Sequence, residues 1–227
     1  SNAEATERDF SADGLNSSSW IRVLGSCISN DGAINNSNQN EWVTSVGDNS
    51  RGTPGFIGQW GLKLGNLLIQ NRGYPIAIFN GARGGKSIDY FLDNTSGDGP
   101  VTNNYDRLLH RLTVTNLKDK VKSIIWSQGE NVSSSISEYK THFFNLRSSW
   151  LADYINVENI YIFQTINGCI SYYKNATTRE RLMYSKEAQR QLAEEYTNIQ
   201  IVNTDSFAQY FDDATNNGTY YDYCHFN

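Results

Sequence analysis

The chain has 227 residues, of which 38% are apolar and 19% charged, with 14 tyrosines, 10 phenylalanines and 5 tryptophans. A chain of this length and composition can bury a substantial core, which excludes wholesale disorder. The formal net charge of −5 without a basic cluster argues against a nucleic-acid partner, and no apolar run is long enough to predict a membrane span.

The first part of the chain contains two predicted strands and one predicted helix. Residues 1–19 are rich in Ser, Asn and Asp and are predicted to be loop, whereas Trp20–Gly25 is a short apolar run that predicts a strand. Residues 26–55 carry many Asn, Ser and Gly and are predicted to be irregular. Apolar residues recur at helical spacing over residues 57–71, and Ile76–Phe79 has the composition of a buried strand.

The second part of the chain alternates helices with apolar strands. Helices are predicted over residues 104–118, 136–153 and 178–195. Strands are predicted over residues 121–126, 160–164 and 199–203, and the last 20 residues are predicted to be loop. This alternation predicts an α/β three-layer sandwich with a central parallel sheet, formed as a single domain by residues 1–227. Ligands of such folds bind beyond the carboxyl ends of the strands.

Two polar segments directly follow predicted strands. The first ends in Gly84 and Gly85, and adjacent glycines allow the backbone to approach a ligand closely and to offer it an N–H group. The second is Gln128–Asn131, a polar cluster that is costly at the end of a buried strand unless it is hydrogen-bonded or functional. The side-chain amide of Gln128 is able to donate to an oxyanion. A plain turn and a strand cap are the structural alternatives.

The end of the chain contains a possible general base. Asp222 precedes His225 by three residues, so that on a tight turn the carboxylate can orient the imidazole. A stray histidine on a surface loop is the alternative. The other two histidines, His110 and His142, lie on predicted helices and are expected to be structural.

Three segments, in this order, resemble the SGNH (GDSL-like) hydrolases. They are FNGARGGKSIDYF at residues 79–91, IIWSQGEN at residues 124–131, and the terminal D-x-x-H followed by Phe-Asn. They are most similar to the branch that contains sialate O-acetylesterases and carbohydrate acetylesterases. That branch has a G-Q-S-N block with the nucleophile, a G-G-T turn, a W-x-Q-G-E block and a D-x-x-H block. Lys86 departs from it, because it stands where the family usually has Thr.

The resemblance implies a flavodoxin-like architecture and a set of site residues. Ser1 is implied as the nucleophile, because Ser1-Asn2-Ala3 lies where the G-Q-S-N block would continue, although the tripeptide also matches the scar of a removed tag. The sequence VLGSCISNDG resembles a nucleophile block as well, which keeps Ser26 and Cys27 as alternatives. The remaining implied residues are Asp222 and His225 of the catalytic triad, Gly85 and Gln128 of the oxyanion hole, and Gly84, Glu130 and Asn131 as substrate-binding residues.

The expected function is that of a serine esterase, without metal or cofactor, that removes O-acetyl groups from a carbohydrate such as sialic acid or a plant or host glycan. A catalytically inactive carbohydrate-binding relative is the main alternative; an N-terminal-nucleophile amidohydrolase and a lipase or thioesterase fit less well. Both chain ends are expected to be cropped. The protein is expected to be extracytoplasmic, either periplasmic or secreted. Cys169 and Cys224 flank predicted site loops, and a disulfide between them would support that location, with free thiols as the alternative.

Overall fold

The computed structural model of the protein divides the chain into two compact units. Unit 1 comprises residues 1–84 and 94–116, and unit 2 comprises residues 85–93 and 117–227. The single domain over residues 1–227 stays a prediction. The described residues are 18–25, 41–47, 55–83, 85–92, 104–131, 133–165, 176–204, 220–222 and 225–226.

Unit 1 contains a mixed three-stranded sheet. Its middle strand is β1 (Ile21–Leu24), which pairs antiparallel with β2 (Trp42–Thr44) and parallel with β3 (Ile76–Ala77). The sequence predicts β1 and β3. It does not predict β2, which falls in the stretch that was expected to be irregular, so that expectation is wrong there. A three-residue strand between polar residues is too short to show an alternating pattern, and β2 forms because its backbone pairs with β1.

Two helices belong to unit 1. Helix α1 (Gln59–Arg72) agrees with the prediction and ends at Gly73, whose left-handed backbone (φ 71°) lets its N–H bond to the carbonyl oxygen of Ile69. Helix α2 (Asn104–Val114) ends four residues before its predicted end. Asn116 follows with a positive φ of 56°, which a right-handed helix cannot continue through.

In the core of unit 1, helix α1 and the residue Ile57 before it pack against strand β1. Ile21, Val23, Ile57 and Leu62 are each at most 1% exposed. Gly65 of α1 lies so close to β1 that a Cβ there would be 2.8 Å from Cδ1 of Ile21. Glycine at this position therefore allows the helix to approach the strand closely enough to close the core.

A buried arginine holds α2 against the ends of the strands. Arg111 is 5% exposed and donates from Nε to the carbonyl oxygen of Leu24 at 2.9 Å and from Nη1 to that of Asn80 at 3.0 Å. Leu24 is the last residue of β1, and Asn80 follows β3. The guanidinium thus donates to backbone carbonyl groups near the ends of these two strands.

Unit 2 contains an all-parallel sheet with the strand order β4-β5-β6. The strands are β4 (Ser123–Ser127), β5 (Asn159–Phe163) and β6 (Ile199–Val202). They alternate with α3 (Ile136–Asp153) and α4 (Ala176–Glu195). This βαβαβ arrangement confirms the predicted α/β class, and each element lies within two residues of its predicted bounds.

Aromatic side chains fill the core of unit 2 around Trp126 of β4. The Trp126 ring makes edge contacts with Phe91, Phe143 and Trp150 at centroid distances of 5.3, 6.4 and 5.4 Å. Such pairs add about 0.5–1.5 kcal/mol each beyond simple burial. Phe91 belongs to a 3₁₀ turn, Ile88–Phe91, so the aromatic cluster fixes the segment that follows the glycine turn.

A short hairpin near the end of the chain differs from the sequence prediction. Strands β7 (Tyr220–Asp222) and β8 (His225–Phe226) pair antiparallel where only loop was expected. Strands of two or three residues are set by their pairing and not by composition, which explains the error. Among the described residues, no helix combines the length and apolarity needed to cross a membrane.

Candidate active site

The segment after β4 forms a tight loop, here named the Q-G-E loop and defined as residues Gln128–Asn131. Gln128 is 6% exposed, whereas Glu130 and Asn131 are exposed. Gly129 has a φ of 147°, and a Cβ on it would collide with Oγ1 of Thr165. Glycine is therefore required at the point where the chain leaves the sheet. The loop lies beyond the carboxyl end of β4, where α/β folds bind ligands.

Asn131 links the Q-G-E loop to Gly85. Its Nδ2 donates to the carbonyl oxygen of Gly85 at 3.0 Å. Gly85 is exposed, has a φ of 71°, and has no described atom within 4 Å of the place where a Cβ would lie. The structure therefore brings together three of the residues implied by the resemblance, Gly85, Gln128 and Asn131. Gly84 lies outside the described residues.

The side-chain amide of Gln128 contacts two backbone segments, its own loop and the residue that follows Gly85. Its Nε2 donates to the carbonyl oxygen of Asn131 at 3.0 Å and lies 3.5 Å from that of Lys86, at the limit of a hydrogen bond. Its Oε1 is buried and has no hydrogen-bond partner among the described residues. A buried carboxamide oxygen without a partner is able to accept a hydrogen bond from a ligand hydroxyl. The 3.5 Å contact to Lys86 is a weak hydrogen bond, so one N–H of Gln128 is able to donate to a ligand instead.

A buried polar network supports the Q-G-E loop from inside unit 2. Gln189 of α4 donates from Nε2 to the carbonyl oxygen of Gln128 at 2.7 Å and to the phenol oxygen of Tyr139 at 3.1 Å. Its Oε1 accepts from the backbone N–H of Thr165 at 3.0 Å. Nε1 of Trp126 donates to the same phenol oxygen at 3.4 Å. Strand β4, the segments that follow β4 and β5, and two helices thus meet in one hydrogen-bonded cluster.

Burial raises the pKa of the Tyr139 phenol to about 12. Hydrogen bonds from Gln189 and Trp126 oppose this rise, and the nearby carboxylate of Glu130 adds to it. The phenol is therefore neutral at physiological pH, and its hydroxyl donates to the carbonyl oxygen of Gln128 at 3.4 Å.

The sequence analysis did not single out Gln189, Tyr139 or Thr165. One signal was available for Gln189: it lies on the buried stripe of α4, at helical spacing from Leu182, Ser185 and Leu192. A glutamine on such a stripe must find hydrogen-bond partners inside the protein. No local pattern in the sequence indicates which groups those partners are.

A second contact anchors the segment that follows Gly85. The carboxylate of Asp89, in the 3₁₀ turn, contacts Nδ1 of His142 on α3. Lys86 places its ammonium 4.7 Å from the centre of the Tyr90 ring. His142 therefore holds the turn against α3.

Asp222 and His225 are register partners in the β7–β8 hairpin, which is described through its backbone. Residues directly opposite each other in an antiparallel pair are close neighbours, so the hairpin backbone places these two positions side by side. The remaining sequence-predicted residues, Ser1, Ser26 and Cys27 and both cysteines of the considered disulfide, lie outside the described residues.

A family model and solved structures both match the chain. The family model described as "Carbohydrate esterase, sialic acid-specific acetylesterase" matches residues 26–219. The crystal structure of a carbohydrate acetylesterase from Xanthomonas citri is similar, with a TM-score of 0.52 and 17% identity, over 81% of this chain and 42% of that chain. The chain thus spans less than half the length of that structure. No curated protein sequence matches the chain.

The structural likeness, at 17% identity, shows the fold alone and confirms the predicted α/β sandwich. The family match covers most of the chain, so the protein belongs to the carbohydrate esterase family of sialic acid-specific acetylesterases. This membership confirms the predicted relationship to the carbohydrate acetylesterases. The matched range contains Gly85 and the Q-G-E loop, begins after Ser1, and ends before Asp222 and His225.

Proposed function

We propose that the protein is a serine esterase that removes acetyl groups from O-acetylated carbohydrates. The observation that carries the proposal is the hydrogen bond from Asn131 to Gly85, in a chain that belongs to a carbohydrate esterase family. This bond links Gly85 to the loop that carries the buried amide of Gln128. Backbone N–H groups and side-chain amides are the donors that stabilise the oxyanion of acyl transfer.

The proposed reaction follows the serine hydrolase scheme. The serine Oγ attacks the acetyl carbonyl carbon, and His225, oriented by Asp222, accepts the hydroxyl proton. The Gly85 N–H and the Gln128 amide donate to the oxyanion, with Gln128 giving up its long contact to Lys86. His225 then protonates the departing sugar oxygen. Water, activated by the same histidine, attacks the acetyl-enzyme and releases acetate.

Two serines compete for the role of nucleophile. The resemblance assigns Ser1, and this stays a prediction. Two observations favour Ser26 instead: the family match begins at this residue, and Ser26 is the second residue after β1, the middle strand of its sheet. Nucleophiles of α/β enzymes commonly follow a strand in this way. We therefore place Ser26 first, with Cys27 and Ser1 tested beside it.

The substrate class is proposed from the family to which the chain belongs. The family is named for acetylesterases specific for sialic acid, which points to O-acetylated sialic acid, and acetylated plant or host glycans are the alternatives to be tested. Gly84, Glu130 and Asn131 are proposed to contact the sugar, because Glu130 and Asn131 present exposed polar groups beside Gly85. An extracytoplasmic location is proposed as well, since glycans of this kind are largely found outside the cytoplasm.

The test is hydrolysis of p-nitrophenyl acetate, with and without a serine-reactive fluorophosphonate, followed by mass spectrometry of the adduct. We expect turnover, loss of turnover after labelling, and an adduct on Ser26. An adduct on Ser1 would move the nucleophile there and leave the esterase proposal intact. Absence of both turnover and adduct would contradict the esterase proposal and favour a carbohydrate-binding relative.

Point variants assign the general base. We expect His225→Ala to lower kcat by at least about 10³-fold, because the serine is then no longer deprotonated. His110→Ala is the matched control, since His110 lies on α2 and has no proposed catalytic role. Full activity of His225→Ala would contradict the assignment. Acetate release from acetylated sialic acid, compared with acetylated xylan, then identifies the substrate.

A further inference from the structure

Helix α4 carries a buried carboxamide whose donors and acceptor are all engaged. Gln189 is 0% exposed. Its nitrogen donates to the carbonyl oxygen of Gln128 at 2.7 Å and to Tyr139 at 3.1 Å, and its oxygen accepts from the N–H of Thr165 at 3.0 Å, with the Thr165 hydroxyl at 3.4 Å. A carboxamide offers two N–H donors and one acceptor oxygen, so this side chain is fully satisfied.

The partners fix which way the Gln189 amide points. The carbonyl of Gln128 can only accept a hydrogen bond, and the backbone N–H of Thr165 can only donate one. Exchanging the amide oxygen and nitrogen would place two acceptors together at one end and two donors together at the other. The observed orientation is therefore the only one with both bonds made.

The hydrogen bonds of Gln189 connect the segments that follow β4 and β5, beyond the last residue pair of these two strands. The register between β4 and β5 ends at the pair Ser127 and Phe163. Gln128 is the first residue after β4, and Thr165 is the second residue after β5. Gln189 thus bridges two backbones that are leaving the sheet, and it does so from a helix that packs against that sheet.

The same cluster leaves no room for the Q-G-E loop to shift toward the interior. A Cβ on Gly129 would collide with Oγ1 of Thr165 and would lie 3.1 Å from Nε2 of Gln189. From the outer side, Asn131 ties the loop to Gly85. The backbone of Gln128 is therefore held from inside by Gln189, and the end of the loop is held from outside by Asn131.

We propose that Gln189 is a positioning residue for acyl transfer: by holding the backbone carbonyl of Gln128, it sets where the side-chain amide of Gln128 is presented. The inference rests on the proposed function, because it takes Gln128 as an oxyanion donor. An apolar side chain of similar size would fill the same space, but it would remove the partner of the Thr165 N–H and leave the Gln128 carbonyl with the longer bond from Tyr139.

The first experiment compares Gln189→Leu with Gln191→Leu. Gln191 lies on the same helix, contacts Lys140 and Glu187, and has no link to the Q-G-E loop in the described contacts, so it is a matched control. We expect Gln189→Leu to lower kcat for an acetyl ester by about 10–100-fold with little change in KM, less than the about 10²–10³-fold cost of losing an oxyanion donor outright. Gln191→Leu should change neither. A kcat within twofold of the parent in folded Gln189→Leu would overturn the proposal.

A double-mutant cycle separates positioning from general support. If Gln189 acts through Gln128, adding Gln189→Leu to Gln128→Ala should cost little further activity. If the two losses multiply, Gln189 does not act through Gln128 and the proposal fails. Should Gln189→Leu not fold, Gln189→Glu takes its place, because it keeps the side-chain volume and replaces the donor by an oxygen that faces the Gln128 carbonyl.

Amide hydrogen exchange provides a readout that needs no activity. We expect exchange of the peptide containing residues 128–131 to accelerate at least tenfold in the Gln189 variant and to stay unchanged in Gln191→Leu. Unchanged exchange in both would overturn the positioning role even if the protein is an esterase. Accelerated exchange in a protein that never hydrolyses acetyl esters would instead contradict the proposed function. Gln189 would then support the Q-G-E loop without a role in acyl transfer.

Discussion

The side-chain amide of Asn131 donates to the backbone carbonyl oxygen of Gly85 at 3.0 Å, although the two residues are 46 positions apart in the sequence. One partner belongs to the loop after β4, and the other belongs to the glycine turn that the sequence also singles out. This exposed hydrogen bond, together with the longer contact from Gln128 to Lys86, therefore keeps two predicted parts of the oxyanion site side by side. Its removal should affect activity more than stability.

Asn131→Asp tests this relationship. An aspartate cannot donate to the Gly85 carbonyl, and its negative charge repels that oxygen, so we expect kcat to fall about tenfold or more through loss of alignment. Stability should change by less than about 1 kcal/mol, because the bond is exposed to solvent. Asn145→Asp, on the exposed face of α3, is the control. Equal kcat values for the two variants would contradict the role of Asn131.

Gly85→Ala tests whether the space beside the Gly85 backbone is needed for catalysis. Gly85 and Gly73 share a φ of 71°, and at both positions the space that a Cβ would occupy has no described atom within 4 Å. Alanine at either position should therefore cost the same strain of about 1–2 kcal/mol. Only Gly85→Ala should also lower kcat, because its methyl group would lie beside the proposed oxyanion donor. Urea denaturation and ester hydrolysis of both variants provide the comparison.

Gly129→Ala should be far more damaging to the fold. Its φ of 147° strains any side chain, and the new methyl group would collide with Oγ1 of Thr165. We expect a loss of at least about 3 kcal/mol from backbone strain and overpacking together. Adding Thr165→Ala removes the colliding oxygen and should recover part of that loss. A destabilisation below about 1 kcal/mol for Gly129→Ala alone would show that the loop adapts.

Tyr139→Phe tests the buried phenol through its pH dependence. Burial raises the phenol pKa in the folded protein from the ordinary value of 10.0 to about 12. The unfolded chain therefore loses the proton first as pH rises, and the stability due to this group, fully present below pH 10, is lost as pH rises through about 12.

We expect the free energy of unfolding of Tyr139→Phe to fall less steeply than that of the parent between pH 8 and pH 11. At pH 8 the variant should be about 1 kcal/mol less stable, because the Gln189 and Gln128 bonds lose their partner. Tyr161→Phe, on β5, is the control, and urea midpoints at both pH values are the measurement. Identical slopes for the parent and Tyr139→Phe would contradict the prediction.

Local signals in the sequence were enough for the long helices and the parallel strands. Helix α3 begins and ends at its predicted residues. Its start is marked by Ser135, whose hydroxyl accepts a hydrogen bond from the backbone N–H of Glu138. The Glu138 carboxylate in turn accepts from the hydroxyl and the backbone N–H of Ser134, and these bonds lower the pKa of Glu138. Strand β2 and the hairpin of Asp222 and His225 were missed, because such short strands are stabilised by partners elsewhere in the chain.

The sequence by itself determined the α/β class and the alternation of strands and helices in unit 2, and it predicted the glycine and Q-G-E segments as the places for chemistry. It determined these because apolar periodicity, glycine and polar residues at strand ends act over a few neighbouring positions. Only the tertiary structure decided that Gln189 bonds to Gln128, 61 positions away, and that Asp89 meets His142. A buried polar side chain bonds to whichever complementary group packing brings within about 3 Å, and no local pattern encodes that choice.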